Sequence, residues 1–307
     1  MTGQPARPAG WAPADWAAAR LPVVPQPGPG GLVDASSFLG EWPSRRLNGS
    51  PAPAAEALVE RRLRLMDRLG MRQAAVSRLE SVWLKDAGVG NAELHALVGS
   101  RPDRFFPVYT LDPTFPSWPE QLDRCVEAYG LAAGRGAVRL LPTYHGYGIG
   151  QTITTGSGDA AGFDLFLERL EGLGLPVVLT LQLDDTRMQH PAMRVPDLAV
   201  ADVVAAVSHR PALRWVVTGA LQTQMLAIAR QLPPEARVWF ELSRVQGPID
   251  GIRHLRDQLG IDRLLFGTNL PLHVAESPIM ELADARLSPD EDAAVRYGNA
   301  ARALGID

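Results

Sequence analysis

Cysteine occurs once in the 307 residues, at Cys125, so neither an internal disulfide nor a paired-cysteine metal or redox motif is available. Positive charge is not in excess. Thirty basic side chains face 34 acidic ones, and the formal net charge of −4 argues against a nucleic-acid partner. No apolar run approaches the roughly 18 residues that a membrane-spanning helix needs. A secretory signal is missing too, because residues 1–31 hold seven prolines and no uninterrupted apolar stretch. The expectation is a cytoplasmic protein that binds neither nucleic acid nor membrane. Lysine is as scarce as cysteine: Lys85 stands alone, and arginine supplies the other 29 basic residues. A lone lysine in an Ala-, Arg-, Gly- and Pro-rich chain is either a chance remnant or a position that needs a compact ammonium with an adjustable pKa.

Hydrophobic residues make up 46 % and charged residues 21 %, ordinary for a globular protein. Residues 1–30 read as an irregular Pro/Ala-rich leader, which Trp11 and Trp16 could tack onto the rest. Residues 31–307 read as one domain of alternating strands and helices. Predicted strands fall at Gly31–Leu39, Gln73–Val76, Arg104–Tyr109, Gly136–Leu141, Pro176–Leu183, Leu213–Thr218, Arg237–Leu242 and Arg263–Gly267. Helical apolar spacing lies between them, as at Leu58, Leu63, Leu65, Met66 and Leu69. Ser288 and Pro289 open the last helical segment as N-cap and first-turn residues. About eight such units close naturally into a (β/α)8 barrel. An open doubly wound sheet would need a glycine-rich phosphate loop after the first strand, where the sequence reads DASSFLGEWP. The loop from Thr143 to Gly162 carries six glycines and reads as a lid over the barrel mouth.

In such a barrel, chemistry sits at the C-terminal ends of the strands. That rule selects Asp34, Ser36, Phe38, Glu41, Trp42, Arg45 and Arg46 from the first strand, and Glu80 and Lys85 from the second. Tyr109 and Asp112 follow the third; Arg139, Tyr144, His145 and Tyr147 the fourth. Gln182, Asp184, Asp185, Arg187 and His190 follow the fifth, Glu241 and Ser243 the seventh, and Asn269, His273 and Glu276 the eighth.

The stretches LVDASSFLG, GAVRLLP, LPVVLTLQ, PALRWVVTGA, RLLFGTNLP and the terminal YGNAARALGI resemble the amidohydrolase-related branch of the amidohydrolase superfamily, over roughly residues 31–307. The resemblance implies a TIM barrel and enzyme activity. It also implies metal ligands that this chain does not carry. Where the family has His-x-His on the first strand, Ser36 and Phe38 stand. Thr180 or a neighbour replaces the histidine of the fifth strand, Gly219 that of the sixth, and Asn269 the aspartate of the eighth. These residue types together cannot hold a divalent transition metal.

The expected function is therefore a cofactor- and metal-independent enzyme. It would hydrolyse an amide or lactone, or decarboxylate, a small substrate bearing a carboxylate. A lyase or cyclase of specialised metabolism and a non-catalytic metabolite-binding descendant are the alternatives. Lys85, His145, His190 and Glu241 are the candidate catalytic groups; Arg45, Arg139, Tyr144, Tyr147, Asp185, Arg187 and Asn269 are the candidate substrate contacts. Lys85 could bind a carboxylate, move protons or, if desolvated, form a Schiff base. Arg139 either grips a substrate carboxylate or answers Glu241. Asp185 and Arg187 could simply pair, and His190 before Pro191 could simply make a turn. A new metal site from His145, His190 and one of Asp185, His273 or Glu241 would need those loops to converge. A homodimer is common in the resembled family.

Overall fold

The computed structural model describes residues 30–42, 47, 54–149, 158–245 and 250–306. The expected leader, Arg45 and part of the glycine-rich loop lie outside these residues. Eight parallel strands follow one another in chain order: β1 (Leu32–Leu39), β2 (Met71–Arg78), β3 (Phe105–Thr110), β4 (Ala137–Leu140), β5 (Val177–Thr180), β6 (Trp215–Thr218), β7 (Val238–Glu241) and β8 (Leu264–Leu265). Helices return the chain outside the sheet: α1 (Ala55–Leu69), α2 (Gly88–Val98), α3 (Trp118–Glu127), the single turn α4 (Pro142–His145), α5 (Gly158–Gly172), α6 (Val200–His209), α7 (Gln222–Ala229) and α8 (Gly251–Leu259). After β8 come α9 (Glu276–Asp284), α10 (Pro289–Ala293) and α11 (Asn299–Leu304). The (β/α)8 architecture expected from the alternation is present.

Each helix forms where one apolar stripe can meet the sheet. On α1, Leu58, Val59, Leu63, Met66 and Leu69 are buried while most of its charged residues face outward. Before α10 the Ser288 hydroxyl accepts the Glu291 N–H and the Glu291 carboxylate accepts the Ser288 N–H, a reciprocal cap at the position read from the sequence.

The barrel closes between its last and first strands. The Ala35 N–H donates to Phe266 O (2.9 Å), Phe38 N–H to Leu270 O (2.7 Å) and Asn269 N–H to Ser36 O (2.9 Å). The buried Asp34 carboxylate clamps the seam by accepting the Thr268 N–H at 3.0 Å and the Thr268 hydroxyl at 2.6 Å.

Side chains alternate across a strand, so residues two apart share a face. One interior layer is apolar: Val33, Ala35, Ala75, Val108, Ala137, Val178, Val216 and Leu265 pack with Ala300, Ala303, Leu304 and Ile306 of the C-terminal segment. Two residues further along β2, β4, β5 and β6 the interior becomes polar, with Ser77, Arg139, Thr180 and Thr218 above that layer and Glu241 at the end of β7. On β1 the register shifts between Asp34 and Ser37. The shift lets Ala35 face the apolar layer and Ser36 the polar one, which strict alternation forbids.

The main departure from expectation is at β4. The segment expected to begin the glycine-rich lid opens instead with the helical turn α4, started by Pro142 and ended by Gly146. That turn carries His145 inward, where it is buried.

Candidate active site

Arg139 lies two residues beyond Ala137 on β4 and points into the barrel, fully buried. Its Nε donates to Ser77 Oγ (2.9 Å), Nη1 to Thr180 Oγ1 (3.1 Å) and Nη2 to Ser36 Oγ (3.2 Å). The Phe38 ring stands 4.3 Å from the guanidinium carbon, within cation–π range. Hydroxyls orient the group but do not neutralise it. Burial pulls the Arg139 pKa down to about 9, and the charges of Glu241 and Asp34 oppose that shift. Arg139 is thus a fixed cation inside the barrel, gripped by the protein. Three of its five N–H groups serve this cage, one from each nitrogen.

Glu241 is buried at the end of β7. Its oxygens accept the Ser243 N–H (2.5 Å) and hydroxyl (2.9 Å). A side chain at Gly267 would put a Cβ 2.2 Å from Glu241 Oε1, so glycine there makes room for the carboxyl. Burial pushes the Glu241 pKa from 4.5 up to about 7, against the hydrogen bonds from Ser243 and Gly219 and with Asp34 adding to the rise.

This shift makes a prediction for stability. The folded pKa lies above the unfolded one, so between pH 4.5 and about 7 the native state keeps a proton that the unfolded chain has released. The stabilisation is complete below pH 4.5 and is lost as pH rises to about 7. The full loss is about 3 kcal/mol. Urea midpoints measured across this interval for wild type and Glu241→Gln will diverge in slope, the variant losing less. Parallel slopes would refute the assignment.

The loops above this layer are tied together. At the end of β6, Gly219 has φ 68°, and a Cβ there would fall 1.8 Å from Gln182 O, so the β5 loop sits directly on it. Arg244 Nη1 donates to Gly219 O (3.0 Å) and to Gln182 Oε1 (2.6 Å). The Tyr144 hydroxyl accepts the Leu183 N–H (2.9 Å), and Asn269 Nδ2 donates to Leu183 O (3.0 Å). Burial raises the Tyr144 pKa to about 12, so this phenol stays neutral. Trp42, Trp83 and Tyr144 meet edge to face, with ring centroids 5.1 Å apart for Trp42–Trp83 and 5.4 Å for Trp83–Tyr144.

Beside this aromatic wall, His145 Nε2 lies 3.0 Å from Ser81 O. A carbonyl only accepts, so Nε2 carries the proton and Nδ1 is a bare lone pair in the neutral ring. Burial holds the His145 pKa below 6.5, helped by the charge of Lys85 and opposed by the Ser81 carbonyl and Asp112. His145 Nδ1 stands 3.9 Å from Asp112 Oδ2, beyond hydrogen-bond reach. Asp112 Oδ1 accepts both the N–H (2.8 Å) and hydroxyl (2.7 Å) of Thr114. Among the described residues, the buried atoms of this region without a hydrogen-bond partner include Asp112 Oδ2, His145 Nδ1, Tyr147 Oη, Trp83 Nε1 and Gln182 Nε2.

Of the remaining expected residues that are described, Asn269 joins this network through Leu183 and the others do not. Lys85 is exposed on the β2 loop, so it lacks the desolvation that Schiff-base chemistry requires. His190 is exposed and its Nδ1 accepts the Ala192 N–H at 3.2 Å, the turn role. Asp185 and Arg187 pair with each other at 2.6 Å, and the Arg187 side chain is 86 % exposed. Asn269 spends its amide on Leu183 and latches two loops. Arg45 lies outside the described residues. His145, Tyr144 and Tyr147 follow β4 and Glu241 ends β7, while Asp112, Gln182 and Arg244 follow β3, β5 and β7. The strand-end rule pointed to Asp112 and Gln182; nothing in the sequence singled out Arg244. No group of three or more His, Cys, Asp or Glu side chains suited to a metal ion exists among the described residues. None of the described helices is long and apolar enough to cross a membrane.

A family model for amidohydrolases (Amidohydro_2) matches residues 41–306. The chain belongs to this amidohydrolase family. No curated protein sequence matches it. Its fold is similar to that of 5-carboxyvanillate decarboxylase from Sphingomonas paucimobilis, at 16 % identity and a TM-score of 0.65, over 90 % of this chain and 99 % of that one. It is similar as well to a dihydroxybenzoic acid decarboxylase from Polaromonas sp. JS666 with bound manganese and the inhibitor 2-nitroresorcinol, at 14 % identity, TM-score 0.63, 90 % and 97 % coverage. A third neighbour is a probable 2-pyrone-4,6-dicarboxylic acid hydrolase from Acinetobacter baumannii with citric acid bound, at 14 % identity, TM-score 0.61, 90 % and 100 % coverage. The metal that the amidohydrolase family implies does not fit this chain. Two of the residues at its ligand positions, Ser36 and Thr180, instead accept hydrogen bonds from the Arg139 guanidinium. The ring at a third, Phe38, lies over that cation. A divalent ion would meet neutral hydroxyls and a positive charge there.

Proposed function

We propose that this amidohydrolase-family protein is a metal-independent enzyme acting on a small, ring-shaped substrate that carries a carboxylate. The observation that carries the reading is the set of unpartnered buried polar atoms at the C-terminal mouth of the barrel. Native proteins leave few such atoms, because each costs about 1–3 kcal/mol. Here donors and acceptors are both left over. Trp83 Nε1 and Gln182 Nε2 are donors suited to a carboxylate or a developing oxyanion. His145 Nδ1 and Asp112 Oδ2 are acceptors suited to taking a proton. The faces of Trp83 and Tyr144 favour a planar ring. Arg139 supplies a fixed positive field from below, and Glu241, near half-protonated at neutral pH, can exchange a proton. The reaction in this reading is hydrolysis of an amide or lactone, with decarboxylation as the alternative.

The test is turnover of a panel of hydroxybenzoates and carboxylated lactones by protein dialysed against chelator. Ring absorbance and carbon dioxide release separate the two reactions, and plasma mass spectrometry counts metal. The expected result is turnover of at least one ring carboxylate with far less than one divalent ion per chain. Activity that returns only when manganese or zinc is added back would sink the proposal.

A further inference from the structure

His145 Nδ1 and Asp112 Oδ2 are two acceptors facing each other across 3.9 Å in a buried setting. Acceptors cannot satisfy one another, and the Ser81 carbonyl keeps the ring proton on Nε2. What fits between two acceptors is a small donor of two hydrogen bonds. A water oxygen about 2.8 Å from each would subtend an angle of about 90° there, acceptable for water donating both protons. The Tyr147 hydroxyl, also buried and without a partner, is a donor on the same side chain cluster and interacts with the charge of Asp112. A buried water typically makes two to four hydrogen bonds, and His145 Nδ1 and Asp112 Oδ2 supply two of them.

We infer that His145 and Asp112 hold one water molecule between them and that this water is the nucleophile of an acyl hydrolysis. The inference rests on the hydrolytic form of the proposed function and deepens it, because decarboxylation needs a proton donor but no pinned nucleophile. His145 Nδ1 takes one proton from the water as its oxygen bonds to the acyl carbon, and the carbonyl π pair moves onto oxygen. Collapse of that adduct re-forms the carbonyl and breaks the bond to the leaving oxygen or nitrogen. The leaving atom receives the proton back from Nδ1. Water has then been added across the acyl bond, with no other reactant. Asp112 is a positioning residue: it orients the water and favours the imidazolium that forms.

The test combines a crystal structure with kinetics. In wild type, a water peak within hydrogen-bond reach of both Nδ1 and Oδ2 is expected. Asp112→Asn keeps the acceptor that Thr114 needs but turns the other oxygen into a donor. With 4-nitrophenyl acetate as the probe, its rate is expected to fall at least tenfold. Its acid limb should move to lower pH, since the carboxylate that raises the His145 pKa is gone while Lys85, the other charge acting on that ring, stays. A rate set by the titration of a group other than His145 would leave that limb unmoved. Probe turnover with no water at that place, or with an unshifted limb in the variant, would overturn this inference alone. Absence of any ester or lactone turnover by wild type would overturn the hydrolytic reading with it.

Discussion

Replacing Arg139 by methionine is expected to cost about 3–5 kcal/mol of stability, because the change removes one partner from a buried charge cluster. Methionine fills much of the same volume, so the loss is not mainly a cavity. Three hydroxyls, on Ser36, Ser77 and Thr180, lose their donor. The guanidinium that the charges of Glu241 and Asp34 favour is gone. The sign of the pH effect follows. Below about pH 7 Glu241 is protonated in the folded protein and needs no counter-charge; above it the missing guanidinium is felt fully. The destabilisation therefore grows as pH rises through that value. Urea unfolding at mildly acidic and mildly alkaline pH measures it, and thermal midpoints should fall by roughly 10 °C. Arg139→Lys should recover charge but not the three-way bonding, since an ammonium is compact and cannot span the same hydroxyls. A methionine variant within about 1 kcal/mol of wild type at alkaline pH would show that the cage is not what holds the polar layer together.

The other large effect falls on rate. His145→Gln is expected to lower kcat by about 10²- to 10⁴-fold on whichever substrate the ring-carboxylate panel identifies. Glutamine keeps an amide donor for the Ser81 carbonyl and loses the basic lone pair. Its thermal midpoint should accordingly move by only a few degrees, for a net loss of about 1 kcal/mol in hydrogen bonding. Because burial and Lys85 hold the imidazole below 6.5, wild type should keep its base form, and hence its activity, down to mildly acidic pH. Rates in the variant within about threefold of wild type would remove His145 from the chemistry and leave Glu241 as the proton-transfer group.

The polar layer around Arg139 was half visible in the sequence. In the segments AVRL, VVLT, WVVT and VWFE a polar residue stands two places after an apolar one, which by alternation puts a polar face at the C-terminal end of the interior. The pattern marks Arg139, Thr180, Thr218 and Glu241 without saying what they touch. It cannot show that a serine on β1, a serine on β2 and a threonine on β5 converge on one guanidinium, since those contacts span 41 to 103 positions of sequence separation. Nor could it foresee the turn at α4: six glycines after Thr143 read as a loop, whereas Pro142 starts a helical turn and the first of those glycines ends it.

Local chemistry in the sequence was enough to determine the eight alternating units, the parallel barrel and the end at which polar side chains collect. Those depend on periodicity and residue type, which are properties of neighbours along the chain. The tertiary structure alone decided which polar residues are consumed and which are left over. Asp185 and Arg187 satisfy each other in solvent, His190 caps a turn and Arg139 is caged. Asp112 and His145 end up buried and facing across 3.9 Å. Hydrogen bonds are short and directional, so whether a donor is spent depends on distances of a few tenths of an ångström between segments that only folding brings together.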